Sequence, residues 1–256
     1  MNLSLTDNEI KAGRIGGPFF SIIVTTFNRA ALLKRALDSI ISQSETDWEV
    51  IIVDDESTDN TYDEIIPYLR EYKSIRYYRK SHSGEALTKN TGIAYAGGKY
   101  VTFLDSDDEY SPDHLRSRKS ILLRHPSVSF LHGGTFILGN QQVPDRFNPG
   151  RLVNLSDCVI GGTFFIERIT LLRLKGFRNI ELGTDADLFE RARIHGVSIM
   201  KTYIPTYIYH HENNDSITNK MISQTPGNFT GHSGTSDENK LPVKNSLSGQ
   251  QLQLPT

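Results

Sequence analysis

The chain has 256 residues and a formal net charge of −2, with 28 basic and 30 acidic side chains spread along it. That balance argues against a nucleic-acid binder, which presents a basic face. The single Cys158 excludes an internal disulfide and points to a reducing compartment, and no apolar run approaches the roughly 18–20 residues of a membrane span.

Met1 to Gly17 is polar, carries Asp7 and Glu9, and does not read as a secretory signal. The cytoplasm is the expected location, with peripheral contact at the inner face of a membrane left open. Residues 1–18 form an N-terminal extension, closed by Gly16-Gly17-Pro18. Phe19 to Thr26 then reads as a strand. Arg29 to Gln43 carries Leu33, Leu37, Ile40 and Ile41 on one stripe, which predicts a helix. Trp48 to Val53 is a second apolar strand, ending in Asp54-Asp55. Ser57 and Thr58 suit a helix start, and Tyr62, Ile65, Ile66 and Leu69 supply its stripe. Ile75 to Tyr78 reads as a short strand, and Gly84 to Ala96 as a helix stopped by Gly97-Gly98. Tyr100 to Leu104 is an apolar, β-branched run that ends in Asp105-Ser106-Asp107-Asp108. Strands alternating with helices over residues 19–125 predict a parallel sheet with helices on both faces.

The second half, residues 126–219, predicts a mixed β region. Val128 to Leu138 and Val159 to Glu167 read as strands, and Gln141 to Ser156 as a loop. Arg168 to Lys175 and Asp185 to His195 read as helices, and Ser198 to Tyr209 is β-rich. Residues 220–256 are dominated by Gly, Ser, Thr, Asn, Gln and Pro. Such a segment buries too little apolar surface to offset its ordering entropy, and is expected to be a flexible polar tail.

The acid-tipped strand is the sharpest chemical signal. Open α/β sheets bind ligands at the carboxyl ends of their strands. Carboxylates this close repel one another, and a divalent cation relieves the repulsion. Residues i and i+2 of an extended strand share a side, so Asp105 and Asp107 are expected to address one site.

Four segments together resemble the inverting family 2 glycosyltransferases. They are Ser21 to Arg29, Val53 to Thr61, Lys89-Asn90-Thr91-Gly92-Ile93 with Ala96-Gly97-Gly98-Lys99-Tyr100, and Leu104 to Asp108 followed by Pro112. The resemblance is strong to about residue 125, patchy to about residue 215, and does not cover the tail. It implies a GT-A fold: a Rossmann-like, mostly parallel sheet flanked by helices, with a nucleotide-sugar half over 19–125 and an acceptor half over 126–219. It implies metal-dependent inverting transfer from a nucleotide diphosphate sugar, UDP-linked by default, to a hydroxyl of a carbohydrate or lipid-linked glycan. The setting would be glycan or polysaccharide biosynthesis.

The resemblance also assigns roles. Thr25, Thr26, Asn28 and Asp55 would contact the nucleoside. Asp55 also suits a plain carboxylate before a helix, favoured by the dipole. Asp107 would hold Mn²⁺ or Mg²⁺, and Asp105 the ribose or a metal-bound water. Asp108 serves equally as a turn residue. Lys89 stands where the family has an Arg near the phosphates, and lacks its bidentate fork; an exposed helix lysine is the alternative. His82 and Ser83 lie in a loop that the family places near the donor. Asp185, in Gly183-Thr184-Asp185-Ala186-Asp187, would be the general base, with Asp187 second. Here Thr184 replaces the usual Glu and Ala186 a common aromatic. A capping pattern between Thr184 and Asp187 is the structural alternative. His211, after Tyr207-Ile208-Tyr209-His210, would touch metal or diphosphate, and a surface histidine pair is its alternative.

Rival chemistries lack their motifs. Thr26 to Ala31 contains no glycine, so neither a triphosphate-cradling loop nor G-x-G-x-x-G is present. A non-catalytic nucleotide-sugar-binding or scaffold protein on the same fold is the alternative function, favoured by Thr184 and Lys89.

Overall fold

The computed structural model describes residues 17–212 apart from Arg146 and Pro149. The predicted tail over 220–256 and all but the end of the N-terminal extension lie outside the described residues. In chain order the elements are β1 (Phe20–Thr26), α1 (Ala30–Ile41), β2 (Trp48–Asp54), α2 (Thr61–Glu71), β3 (Ile75–Arg79), α3 (Glu85–Tyr95), β4 (Tyr100–Asp105), β5 (Glu109–Tyr110) and α4 (His114–Arg124). There follow β6 (Phe130–His132), β7 (Thr135–Gly139), β8 (Gln142–Pro144), β9 (Leu152–Asn154), β10 (Phe165–Glu167), α5 (Arg168–Arg173), α6 (Thr184–Ile194), β11 (Ile199–Lys201) and β12 (Tyr207–His211).

Seven strands form one sheet in the order β11-β6-β10-β4-β1-β2-β3. β3, β2, β1 and β4 run parallel. β10 is antiparallel to both β4 and β6, and β11 returns parallel to β6. β1, β2 and β4 are covered on both faces, which is why they read as nearly unbroken apolar runs. Ile22, Val24, Val50 and Ile52 face Leu33, Leu37 and Ile40 of α1 and Ile65 of α2. Ile23, Ile51, Val53 and Phe103 face the other way, onto Ala86 and Ile93 of α3 and Leu188 of α6. Gly92 lets α3 lie close on β1, since a Cβ there would stand 2.5 Å from Ile23 Cγ2.

The second half departs from the predicted spans. The single strand expected over Val128 to Leu138 breaks at Gly133-Gly134, both with positive φ. β6 joins the large sheet, whereas β7 joins a second sheet of order β5-β12-β7. The expected loop over Gln141 to Ser156 contains the β8–β9 hairpin. Only the last three residues of Val159 to Glu167 are strand, because a 3₁₀ turn over Gly161–Thr163 precedes them. Among the described residues no helix is long and apolar enough to cross a membrane.

Candidate functional site

β1 is the point where the strand order reverses: β2 and β3 lie on one side of it and β4 on the other. Such a point opens a crevice at the carboxyl ends. The register puts Thr25 opposite Asp105 and Thr26 opposite Asp54. Thr26 Oγ1 is buried without a hydrogen-bond partner, a group a ligand could satisfy. Asn28 adopts φ 52° and its Oδ1 accepts from the N–H of Thr58 at 2.7 Å, so it ties the first loop to the second. Asp54 is structural, accepting from Ser57 N and Tyr77 OH at 2.7 Å each.

Asp55 is buried and organises the loop after β3. It accepts from Lys80 Nζ at 2.8 Å, Ser83 N at 3.0 Å and Gly84 N at 2.8 Å, and faces His82 Nδ1 at 2.9 Å. Burial alone would raise its pKa; Lys80 and the loop N–H groups outweigh that and hold it below the ordinary range. The exposed ring of Phe27 lies 4.4 Å from that of His82 beside this loop. Neither Lys80 nor Phe27 stood out in the sequence. Lys80 lies 25 positions from its partner, and only the parallel pairing of β2 with β3 brings the two together.

The acidic segment is a turn. β4 ends at Asp105, and Asp108 N donates to Asp105 O at 3.0 Å. The extended-strand argument that Asp105 and Asp107 share a side therefore does not apply. The turn, rather than the pleat, brings the acids together. Asp105 is pushed up to about 6 by burial, then by Glu85, Asp107 and Asp185, against the opposing pull of Lys89. Asp107 stays partly exposed (19%) with Arg29 Nη1 3.7 Å from Oδ2, and Arg35 donates to its backbone carbonyl. Asp108 is buried, accepting from Tyr207 OH at 2.6 Å and His210 N at 2.8 Å. It anchors β12, a more specific role than the solvated turn residue considered from sequence.

Asp185, in the first turn of α6, is brought into this cluster: Lys89, Glu85 and Asp105 all act on it or feel its charge. Its Oδ2 accepts from Gly161 N at 2.9 Å. Burial raises its pKa, with Lys89 opposing. The capping alternative is not realised. Gly183 is the N-cap, in a left-handed conformation and without a side-chain cap. Asp187 is turned to Arg191 Nε at 2.7 Å and Arg178 Nη1 at 3.3 Å. Lys89 is not an exposed helix lysine. It is 1% exposed, and its ammonium lies 2.5 Å from Glu85 Oε1 and 3.3 Å from Asp105 Oδ1. Glu85, unremarked in the sequence, looks there like an ordinary first-turn acid.

His210 and His211 are both buried, so the surface-pair alternative also falls away. His211 Nδ1 lies 2.6 Å from Asn140 O. A carbonyl only accepts, so Nδ1 carries a proton, and in the neutral ring Nε2 would hold the lone pair. Nε2 is buried and has no hydrogen-bond partner. That is the tautomer of a metal-ligating histidine. Among the described residues no three His, Cys, Asp or Glu side chains gather as a complete metal cage. Asp107 offers a carboxylate of the type that Mg²⁺ and Mn²⁺ take, and His211 an imidazole nitrogen.

The glycosyl transferase family 2 model matches residues 21–140. The GalNAc(5)-diNAcBac-PP-undecaprenol beta-1,3-glucosyltransferase of Campylobacter jejuni is 36% identical over 185 residues, covering 67% of this chain and 59% of that protein. Among solved structures, S. aureus TarS in complex with UDP-GlcNAc superposes with TM-score 0.65 at 20% identity, covering 81% of this chain and 61% of that one. The mannosyltransferase PcManGT of Pyrobaculum calidifontis, in complex with GDP-Man and Mn²⁺, gives TM-score 0.62 at 19% identity, covering 76% and 57%. The chain spans about half to three fifths of the length of three curated relatives that it matches. The motifs of residues 21–140 and the architecture agree: the chain belongs to glycosyl transferase family 2 and has the GT-A fold.

Proposed function

We propose that the chain transfers a sugar, with inversion, from a nucleotide diphosphate sugar to the hydroxyl of a carbohydrate or lipid-linked glycan. One observation carries this reading: Asp185, from the second half, is held by Gly161 N at 2.9 Å in the turn that leads into β10, the strand beside β4 and its terminal Asp105. A group that binds the donor and a group that activates the acceptor must meet in this way. The Thr25–Thr26 strand end and the loop organised by Asp55 receive the nucleoside. Phe27 and His82 flank it. Asp107 and His211 would hold Mn²⁺ or Mg²⁺, which would supply charge neutralisation for the leaving diphosphate. Asp185 removes the proton of the acceptor hydroxyl as its oxygen attacks the anomeric carbon. Gly161 N–H fixes the orientation of that carboxylate.

The C. jejuni relative is named for an undecaprenyl diphosphate glycan, which favours a lipid-linked acceptor and peripheral contact with a membrane. TarS holds UDP-GlcNAc and PcManGT holds GDP-Man with Mn²⁺. UDP is the working choice of nucleotide and Mn²⁺ of metal.

A panel of UDP- and GDP-sugars with Mn²⁺, assayed for hydrolysis and for transfer to polyprenyl diphosphate glycans, tests the proposal. Metal-dependent release of the nucleoside diphosphate is the expected result. Nucleotide-sugar binding without turnover across the panel would instead support the non-catalytic alternative.

A further inference from the structure

Asn90, in the middle of α3, joins the two halves of the sheet's carboxyl end. Its side chain holds the backbone of Phe177 in both directions, Nδ2 donating to the carbonyl and Oδ1 accepting from the N–H, each at 2.8 Å. The two residues are 87 positions apart, so the pairing is a tertiary contact and no local turn. One amide thereby satisfies both backbone groups of one residue, as a neighbouring strand would. Gly176, with φ 61°, passes so close that a Cβ there would collide with Asn90 Oδ1. The Phe177 ring is buried and stands edge-on to Phe103 of β4, with centroids 5.1 Å apart.

The same turn is bonded from its other side by α6. Arg191 donates to the carbonyl of Leu174 at 2.5 Å and to that of Gly176 at 2.7 Å. Its Nε donates to Asp187 Oδ2 at 2.7 Å, and Asp187 lies in the first turn of α6 with Asp185. The turn over 174–177 is thus held between α3 and the helix that carries Asp185. α3 in its turn is fixed to the donor end of the sheet. Gly84 N, at its N-cap, donates to Asp55 at 2.8 Å, and Lys89 Nζ lies 3.3 Å from Asp105 Oδ1. Short polar contacts therefore run from the nucleoside loop through α3 and the turn to the start of α6.

We propose that Asn90 is a positioning residue for the candidate base: its double hydrogen bond to Phe177 sets where α6, and with it Asp185, stands relative to the donor end of the sheet. This deepens the proposed reaction and rests on Asp185 being the base. Residues 178–183, which lead from the turn into α6, form no helix or strand. Leu188 and Ala192 pack α6 into the core, but apolar contact is non-directional and tolerates a slide along the interface. Hydrogen bonds weaken steeply with angle and distance, so they fix the register. Register matters here because proton removal and in-line attack tolerate little error: a misplacement of about 1 Å costs about 10²-fold in rate.

The test is Asn90→Ala, read as single-turnover kcat for transfer, affinity for UDP with Mn²⁺, and hydrogen exchange of the Phe177 amide. The expected result is a fall in kcat of about 10–100-fold with UDP affinity within about threefold of the parent. The Phe177 N–H, released from its acceptor, should exchange at least about tenfold faster. The deciding measurement is a double-mutant cycle with Asp185→Asn. If Asn90 acts through Asp185, removing it from the Asp185→Asn protein should change the residual kcat by less than about threefold, whereas a merely structural lesion multiplies the two losses. Gly176→Ala forces the same contact apart from the other side and keeps the test available if Asn90→Ala does not fold. It too should lower kcat with UDP affinity kept, and its loss should vanish in the Asp185→Asn background. An unchanged kcat despite faster Phe177 exchange overturns the proposal. So do losses that multiply, or a loss of UDP affinity of about tenfold, the signature of a residue acting on the donor. Normal turnover by Asp185→Asn removes the base assignment; an inactive Asp185→Asn with multiplying losses removes the role of Asn90 alone.

Discussion

At the scale of single residues, the site divides carboxylates by what surrounds them. Asp54, Asp108 and Asp187 have both oxygens engaged by the protein and hold it together. Asp107 stays partly exposed beside Arg29, and burial raises Asp105, Asp108 and Asp185 alike. Asp185→Asn keeps the shape and the Gly161 contact but cannot accept a proton. It should lose about 10²–10⁴-fold in kcat with donor affinity unchanged, compared by single-turnover assay and calorimetry. Asp55 behaves in the opposite sense. Its folded pKa is depressed, so its contribution to stability is present above the unfolded value near ~3.9 and is lost as pH falls through the folded one. Asp55→Asn leaves Lys80 without its counter-charge and should cost about 1–3 kcal/mol at neutral pH. It should also flatten the acid side of the stability curve, measured by urea unfolding between about pH 3 and 7. An acid limb as steep as the parent's would show that Asp55 does not carry it.

At the scale of elements, legibility followed burial. β1, β2 and β4 are covered on both faces, so each announces itself as an apolar run ending in polar residues. β6, β10 and β11 are three residues each. Strands so short carry no periodicity of their own and exist because the sheet edge beside them supplies partners. β8 and β9 are also three residues each, and they pair only with each other. What separates β6 from β7 is a pair of glycines, and the fold states why. Gly134 has φ 80°, and a Cβ there would collide with the Ile204 carbonyl and Arg118 Nη2. Arg118 is fully buried and donates to the carbonyls of Gly133, Gly134 and Ile204. Gly134→Ala should therefore cost about 2–5 kcal/mol, the left-handed penalty plus overpacking. Gly196→Ala, at φ 67° with open space around it, should cost only the first part, about 1–2 kcal/mol. Equal chemical denaturation midpoints for the two variants would refute the packing account.

At the scale of the molecule, the donor motifs were legible because they sit where the chain leaves consecutive strands, so local sequence and global position coincide. The proposed base was suggested only by resemblance. Nothing near Thr184-Asp185 in the sequence says that this helix start will come to the same end of the sheet as β4, about 80 positions earlier. What joins them is the sheet, in which β10 packs antiparallel on β4 and brings the second half over the acidic turn. The two poles of the site are therefore built on different halves of one sheet, and this separation can be tested. A ligand at a hundred times its Kd stabilises the folded state by about 2.7 kcal/mol. For a domain of this size that corresponds to roughly 5–11 °C in Tm. UDP with Mn²⁺ should produce such a shift in the parent. Asp107→Ala should lose the part that depends on Mn²⁺ if it is the proposed metal donor. Asp185→Asn should keep the whole shift if its carboxylate acts on the acceptor, as proposed. Equal losses in the two variants, measured by differential scanning calorimetry, would mean that donor and acceptor poles are not separable and that Asp185 helps to hold the nucleotide.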